Sequence, residues 1–287
     1  MVLLTMVLTK YALIESGYFT HTGILSNIQF LYLILSILFI TAGGYVINDI
    51  YDIETDKINR SKKIIIGKRI SEKKAFKYYI SLTFIGIAIG FLLSINSYIF
   101  LCFVIPVILL FLYSKYLKRT PFVGNLTISF LISFVICLAY YFHFFFLYSY
   151  DYSLFDKPLR NVIYVYISFS FLTTLIREII KDIEDIDGDL KIKAKTLPIV
   201  IGRKRASKVA FFFTGLLFVF LLVVLQFLKN EPIFLSYGIG CILLPLSYFI
   251  YKLWFAKSKK DFSILSNLMK LIMLLGILSM LLFRFIN

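Results

Sequence analysis

Long runs of apolar residues alternate with short polar segments along the whole 287-residue chain. A transmembrane helix needs about 20 mostly apolar residues to cross about 30 Å of hydrocarbon. Nine runs meet or approach that length, so the pattern predicts an all-α membrane protein with about nine transmembrane helices. The predicted helices are 2–19, 27–47, 75–94, 97–114, 123–147, 160–181, 207–228, 233–253 and 262–285.

The composition supports a membrane protein. Hydrophobic residues make up 60% of the chain and the mean hydropathy is +0.88, which is too apolar for a soluble domain of this length. A net charge of +15 suggests nucleic acid at first, but the basic residues lie in loops between apolar runs. There they indicate membrane orientation and contact with lipid headgroups. We therefore expect the lipid bilayer as surroundings, no nucleic-acid partner and no evident protein partner.

The loop charges also predict an orientation. Four loops contain 24 of the 31 Lys and Arg residues, and each follows an even-numbered predicted helix. These loops are 57–77, 115–119, 181–208 and 252–260. Cytoplasmic loops of membrane proteins carry an excess of Lys and Arg. We expect an integral protein of a bacterial or archaeal cell membrane, with these loops, and any active site that they border, toward the cytoplasm.

Two acidic motifs end apolar runs, at 48–56 and at 181–189. Asp49, Asp52 and Asp56 recur 133 residues later as Asp182, Asp185 and Asp189. An acid at the bilayer centre costs roughly 2.5–3.5 kcal/mol on insertion scales, so acids in such helices usually serve a function. A single motif of this kind is compatible with a solvated helix end. Two motifs at identical spacing indicate a site instead.

The two motif regions form an internal repeat. Each motif is followed by an apolar triplet, a glycine and a basic cluster, at 64–69 and at 199–205. Membrane proteins built from repeats place their sites at the repeat interface. We predict one transmembrane domain over 1–287, with one motif in a half at about 1–120 and the other at about 121–287. The two motifs are expected to face each other across a central cavity.

The residue types in the motifs predict a particular chemistry. Spacings of three and four place each aspartate trio on one helix face, where the like charges repel and need a cation. Mg²⁺ prefers oxygen ligands and usually binds a few carboxylates together with substrate phosphates. The two rows therefore indicate a diphosphate held through Mg²⁺. Arg60, Lys118 and Lys181 lie near the motifs or on the neighbouring loop and would neutralise a departing diphosphate.

With these motifs the chain resembles the UbiA superfamily of intramembrane prenyltransferases. The family form N-D-x-x-D-x-x-x-D is matched at 48–56, and K-D-x-x-D-x-x-G-D at 181–189. The segments 113–119, 124–125 and 195–198 resemble the family's tyrosine-to-lysine loop, the start of its next helix and its post-motif segment. The resemblance covers nearly the whole chain. It implies nine helices around a central cavity and Mg²⁺-dependent transfer of a polyprenyl group from an isoprenoid diphosphate to an acceptor.

The resemblance also implies a role for each matched residue. The expected catalytic residues are Asp52, Asp185 and Lys118. The expected diphosphate contacts are Asn48, Arg60, Lys118 and Lys181. The expected metal ligands are Asn48, Asp49, Asp52, Asp56, Asp182, Asp185 and Asp189.

The wording of the motifs is most similar to the geranylgeranylglycerol-phosphate geranylgeranyltransferase branch, which makes ether lipids. The expected acceptor is therefore of the geranylgeranylglycerol phosphate type. An aromatic quinone precursor, such as hydroxybenzoate or a naphthoate, is the alternative within the family. A divalent-cation transporter is the alternative from another class, because intramembrane carboxylates also line ion paths. The scarcity of charge in the opposite loops argues against that alternative.

Overall fold

The computed structural model describes residues 1–17, 25–59, 64–94, 97–145 and 157–285, and these residues are almost entirely helical. Within these ranges the single β-type pairing is an isolated bridge between Ile66 and Ile70. The α-helices, in chain order, are α1 Val2–Leu8, α2 Asn27–Tyr51, α3 Ile53–Asn59, α4 Glu72–Leu93, α5 Ser97–Lys115, α6 Val123–Phe145, α7 Lys157–Lys191, α8 Leu197–Ile201, α9 Arg203–Phe227, α10 Pro232–Tyr237, α11 Leu244–Phe255 and α12 Lys259–Leu278.

Eight helical segments in the described part of the chain are long and apolar enough to cross a membrane. They are Asn27–Tyr51, Glu72–Leu93, Tyr98–Lys115, Val123–His143, Lys157–Lys191, Arg203–Phe227, Pro232–Phe255 and Lys259–Arg284. A shorter apolar helix, Val2–Ile14, comes before them. Together they agree in number and order with the predicted helices. The prediction of an all-α integral membrane protein is confirmed.

The helices that carry the acidic motifs extend beyond their apolar runs. The run predicted at 27–47 continues as helix to Tyr51, and the run predicted at 160–181 continues to Lys191. Helix α7 has 35 residues. At 1.5 Å per residue it is about 52 Å long, which exceeds the hydrocarbon thickness of about 30 Å. The second motif therefore lies at the polar end of a helix that is longer than the hydrocarbon layer.

The chain divides into two compact units. The first unit comprises residues 1–25, 129–184 and 201–287, and the second comprises residues 26–128 and 185–200. Helices α6 and α7 each contribute residues to both units. The organisation as a single domain, with motif-bearing halves at about 1–120 and 121–287, stays a prediction.

Small residues allow close helix packing in the second unit. The Ser36 hydroxyl in α2 donates a 2.7 Å hydrogen bond to the Gly86 carbonyl in α4. A Cβ at Gly86 would lie 2.8 Å from the Ile40 side chain, and a Cβ at Gly90 would lie 2.5 Å from the Phe103 ring. Both glycines are therefore needed for the approach of their neighbours, as is typical of membrane helices.

The first unit contains a cavity of about 550 Å³ bordered by α6, α7 and α9. Its walls are mainly aromatic and aliphatic, and include Phe134, Cys137, Phe171, Leu216 and Phe220. Pockets for small molecules typically measure roughly 300–1,000 Å³ and have walls of this kind. The cavity therefore has the size and the chemistry to hold an extended apolar group.

Candidate active site

The first acidic motif lies where α2 ends. Helix α2 ends at Tyr51, Asp52 caps it with φ −92° and ψ −2°, and α3 begins at Ile53. One turn before the cap, the Asn48 side-chain amide donates a 2.6 Å hydrogen bond to Asp52 Oδ2. Residues four apart are neighbours on a helix surface, so this contact follows directly from the spacing. The hydrogen bond holds the Asp52 carboxylate against the Asn48 side chain.

Lys118 supplies positive charge to the same place. Its ammonium group forms an ion pair with Asp52 Oδ2 and lies 3.5 Å from Asn48 Oδ1. The side chains of Lys118 and Asp52 are only 26% and 13% exposed. Partial burial reduces screening by water and salt, so this pair interacts more strongly than an exposed surface pair. The structure thus brings Lys118 to two residues of the first motif that lie at least 66 positions away in the chain.

The loop that presents Lys118 has a constrained backbone. Residues Leu117–Arg119 form one 3₁₀ turn, and the Thr120 hydroxyl closes it with a 2.6 Å hydrogen bond to the Leu117 carbonyl. Helix α6 begins directly afterwards, and a Cβ at Gly124 would lie 2.7 Å from the Leu117 oxygen and 3.0 Å from Lys118 Cα. Only glycine fits there without moving the turn. The glycine at the start of α6 therefore has a positioning role toward Lys118.

The second motif contributes Asp185 and Asp189 to the same unit. Asp189 is only 8% exposed, and its Oδ2 accepts a 3.3 Å hydrogen bond from the Thr196 hydroxyl. Its carboxylate interacts electrostatically with the positive charge of Lys118 and with the negative charges of Asp185 and Asp52. Lys118 is therefore shared electrostatically between carboxylates of both motifs.

Two further contacts connect the segments that form the site. The Lys195 amide donates a 2.9 Å hydrogen bond to the Arg119 carbonyl, and the Arg119 guanidinium lies 3.5 Å from the Tyr51 carbonyl. The end of α2, the Lys118 loop and the segment after α7 are thereby linked. Neither Arg119 nor Thr196 has a role predicted from the sequence. The match of 195–198 to the post-motif segment is the one signal that points toward Thr196.

The remaining predicted site residues lie in different surroundings. Asp49 is exposed and Asp56 is half-buried in α3. Lys181 and Asp182 are half-buried in the part of α7 that belongs to the first unit. Arg60 lies outside the described residues. The roles of these five residues as metal or diphosphate ligands stay predictions.

The donors at the site fit a hard cation such as Mg²⁺. Carboxylate and amide oxygens are the ligands that Mg²⁺ prefers, and it usually uses only one or two carboxylates together with water and phosphate. In the described ranges no three His, Cys, Asp or Glu side chains lie close enough to form a cage of protein ligands. The arrangement matches a site completed by a phosphate-bearing substrate. In the second unit, Asn48 and Asp52 beside Lys118, together with Asp185 and Asp189, could hold the ion.

The sequence of this chain is similar to proteins of known family. A sequence profile of the UbiA prenyltransferase family matches residues 4–280. The digeranylgeranylglyceryl phosphate synthase of Thermococcus kodakarensis is 34% identical over 240 residues. That stretch covers 80% of this chain and 75% of the relative.

Solved structures share the fold. One, reported for digeranylgeranylglyceryl phosphate synthase in membranes, has a TM-score of 0.69 and 24% identity, with 99% of this chain and 92% of the other covered. Another, a UbiA homolog from Archaeoglobus fulgidus bound to DMAPP and Mg²⁺, has a TM-score of 0.59 and 18% identity, with 98% and 96% covered. At such identities the likeness concerns the fold.

Proposed function

Because this chain belongs to the UbiA prenyltransferase family, we propose that it transfers a geranylgeranyl group from its diphosphate to a geranylgeranylglycerol phosphate-type acceptor. In this reaction an acceptor hydroxyl oxygen bonds to the first carbon of the prenyl chain, and diphosphate leaves with the electrons of the broken bond. The name of the Thermococcus kodakarensis relative supports this acceptor. The observation that carries the proposal is the position of Lys118 beside Asp52, with Asp189 of the second motif in electrostatic range.

Mg²⁺ is the proposed cofactor. Asn48, Asp52, Asp185 and Asp189 would hold it in the second unit, and Asp49, Asp56 and Asp182 are further proposed ligands. When bound, Mg²⁺ neutralises charge on a diphosphate and makes it a better leaving group. The donor set of the site supports this choice, as does the Archaeoglobus fulgidus homolog, which binds DMAPP together with Mg²⁺.

Lys118 is the proposed electrostatic catalyst. Its ammonium group pairs with the Asp52 carboxylate. A diphosphate at the carboxylate rows would give this ammonium a second acceptor whose negative charge grows as the carbon–oxygen bond breaks. Donors that are aimed at developing charge in a partly buried site lower the barrier, because their stabilisation is strongest in the transition state. Arg60 and Lys181 are proposed to contact the same diphosphate.

The apolar cavity of the first unit is the proposed location of the prenyl chain. It has about 550 Å³ of space between aromatic and aliphatic side chains. Burial of each methylene group contributes roughly 0.8 kcal/mol, so long donors should bind more tightly than short ones. The donor and the acceptor are then both supplied from the bilayer. We also propose that the basic loops and both acidic motifs face the cytoplasm.

The test is a direct assay of acceptor choice. The purified chain in lipid nanodiscs would receive labelled geranylgeranyl diphosphate and Mg²⁺, with geranylgeranylglycerol phosphate, hydroxybenzoate or a naphthoate in separate reactions. We expect a labelled ether with the first acceptor and loss of the product when EDTA removes Mg²⁺. If only the reactions with hydroxybenzoate or a naphthoate gave labelled product, the acceptor would be an aromatic quinone precursor instead of geranylgeranylglycerol phosphate. Flux of divalent cations into sealed vesicles without any prenyl transfer would favour a transporter instead.

A further inference from the structure

Two buried polar side chains of α7 lie between the apolar cavity and the second acidic motif. Thr174 and Glu178 are 2% and 7% exposed, and they are one helical turn apart. Phe171 of the cavity wall comes seven residues before Glu178, and Asp182 follows it by four. These spacings place the residues on one face of α7, over about 17 Å of helix. Along this face the side chains are first apolar at Phe171, then a hydroxyl at Thr174, and then carboxylates at Glu178 and Asp182.

The Thr174 hydroxyl makes no hydrogen bond within the part of the chain that the structure describes. Its neighbour shows the usual alternative, because the Thr173 hydroxyl donates a 2.7 Å hydrogen bond to the Phe169 carbonyl one turn earlier. Buried hydroxyl groups are nearly always hydrogen-bonded, and leaving one without a partner lowers stability. The Thr174 hydroxyl is therefore suited to hydrogen-bond a polar group of a bound ligand.

Glu178 is a buried acid held in place by its chain neighbour. The Arg177 guanidinium donates to Glu178 Oε1, and the two side chains are 21% and 9% exposed. An ionised carboxylate accepts hydrogen bonds and protons but donates neither. Glu178 therefore complements a ligand group that carries a proton to give away, such as a hydroxyl.

We propose that Thr174 and Glu178 bind the acceptor hydroxyl, and that Glu178 takes its proton. This inference rests on the proposed function. In a prenyl diphosphate the reacting carbon joins the apolar chain to the diphosphate. On α7, Thr174 and Glu178 lie between Phe171 of the cavity wall and Asp182, all within the first unit. With the prenyl chain in the cavity and its diphosphate at Asp182, the reacting carbon would lie beside Thr174 and Glu178.

The step at this site balances in atoms and charge. The acceptor oxygen forms its bond to the first carbon of the prenyl chain while the bond from that carbon to the diphosphate breaks. The diphosphate leaves with the bonding electrons. The hydroxyl proton passes to the Glu178 carboxylate, which becomes a neutral carboxylic acid. The Thr174 hydroxyl hydrogen-bonds the acceptor oxygen and fixes its direction of approach.

The first experiment uses Glu178→Gln in nanodiscs with geranylgeranyl diphosphate, geranylgeranylglycerol phosphate and Mg²⁺. Because a positioned base contributes about 10²–10⁴-fold to rate, kcat should fall at least 100-fold. Donor affinity, measured by binding of labelled geranylgeranyl diphosphate, should stay within about threefold because Glu178 contacts the acceptor. Glu178→Asp keeps a base and should recover part of kcat. Glu184→Gln is the matched control, since it removes an acid from another face of the same helix and should leave kcat nearly unchanged.

The second experiment compares two neighbouring threonines. Thr174→Val should raise KM for the acceptor by about fivefold to tenfold, the scale of one lost hydrogen bond, with donor affinity unchanged. Thr173→Val, which loses a hydroxyl that already has a partner in the helix, should change neither value.

Several results would overturn the inference. Transfer by Glu178→Gln at near-normal rate would exclude Glu178 as the base. If Glu178→Gln lost donor binding, the double variant Arg177→Met, Glu178→Gln would be measured next, because it removes both charges of the pair. Loss of donor binding in the double variant as well would show that the pair has a structural role. Normal transfer by the double variant would also exclude Glu178 as the base. Failure of the unchanged protein to use geranylgeranylglycerol phosphate is a separate result, and it would refute the proposed function itself.

Discussion

The Lys118 ammonium group pairs with the Asp52 carboxylate although the two residues are 66 positions apart in the chain. The contact joins the loop between α5 and α6 to the end of α2. It is reinforced by the approach of Lys118 to Asn48 Oδ1 at 3.5 Å. The other two basic residues of the loop make other contacts: Lys115 lies over aromatic rings, and the Arg119 guanidinium lies near the Tyr51 carbonyl. The structure therefore places Lys118 at the first acidic motif, where we propose that it acts on a bound diphosphate.

Replacing Lys118 should affect catalysis far more than replacing its loop neighbour. Lys115 lies over the rings of Phe111 and Tyr116, at 5.7 Å and 4.9 Å from their centroids. Lys118→Ala should lower turnover by roughly 10²-fold, the scale for losing one donor to developing charge. Lys115→Ala removes the same charge and should change turnover by less than about threefold. The measurement is the turnover of both variants at saturating donor and Mg²⁺. Equal values would mean that Lys118 contributes to membrane orientation and has no role in catalysis.

Asp52 should be essential for transfer, while a nearby acid should not be. Asp52→Ala removes the partner of Lys118 and a proposed metal ligand, so turnover should fall at least about 10²-fold. Glu54 is 71% exposed and pairs with Lys57 on the surface. Glu54→Ala should therefore stay within about threefold of the unchanged protein. Assays on equal amounts of membrane-inserted protein would reject the role of Asp52 if its variant turned over normally.

Asp185 should behave like Asp52 in the same assay. It lies within electrostatic range of Asp189 in the second unit. Asp185→Ala should remove a proposed Mg²⁺ ligand and lower turnover at least about 10²-fold. Asp187 is exposed and lies two residues further along α7, so Asp187→Ala is the control expected to retain activity. Activity of the Asp185 variant at ordinary Mg²⁺ concentration would contradict its role.

Thr196 should tune the affinity for Mg²⁺ through Asp189. Its hydroxyl donates to Asp189 Oδ2 at 3.3 Å, and Thr196 is 2% exposed. Loss of a hydrogen bond to a metal-binding side chain typically weakens metal binding by about 10–100-fold. Thr196→Val should therefore raise the Mg²⁺ concentration for half-maximal activity by about tenfold or more. Thr127→Val, which removes a hydroxyl bonded to the Val123 carbonyl, is the control, and an equal Mg²⁺ requirement in both variants would contradict the prediction.

Gly124 should be intolerant of even a methyl group. The added Cβ would meet backbone atoms of Leu117 and Lys118, which cannot rotate away as a side chain can. Overpacking of this kind typically costs about 1–3 kcal/mol, and displacement of Lys118 should lower turnover by at least about tenfold. Gly215→Ala is the control, because a Cβ there has nothing within 4 Å. Thermal unfolding and turnover of both variants test the prediction, which fails if Gly124→Ala is as stable and active as Gly215→Ala.

A bulky residue in the cavity should discriminate between donors by length. Ser168 lies in the cavity wall, so Ser168→Trp would occupy space that we assign to the prenyl chain. Affinity for geranylgeranyl diphosphate should fall by at least about tenfold, the loss expected from expelling two methylene groups or more. Affinity for dimethylallyl diphosphate should change little. Leu222→Trp on the exposed side of α9 is the control, and an equal loss for both donors would place the chain elsewhere.

The amino-acid sequence is sufficient to predict the membrane fold and the type of chemistry that the two motifs support. Apolar runs of the required length predict membrane helices because the energetic cost of exposing polar groups to hydrocarbon acts on each segment separately. The pairing of Asn48 with Asp52 is also expected from the sequence, because residues four apart are neighbours on a helix surface. The residue types and spacing of the two motifs are sufficient to indicate a cation and a diphosphate.

Only the tertiary structure distinguished residues that look equivalent in the sequence. Lys115 and Lys118 carry the same charge in one short loop, and the 3₁₀ turn packed on Gly124 decides which of them reaches Asp52. Likewise, packing makes Asp189 a buried carboxylate bonded to Thr196 while Asp49 stays exposed. These differences depend on contacts between segments that are distant in the chain. Local periodicity carries no information about such contacts, because it reports only which residues share a helix face.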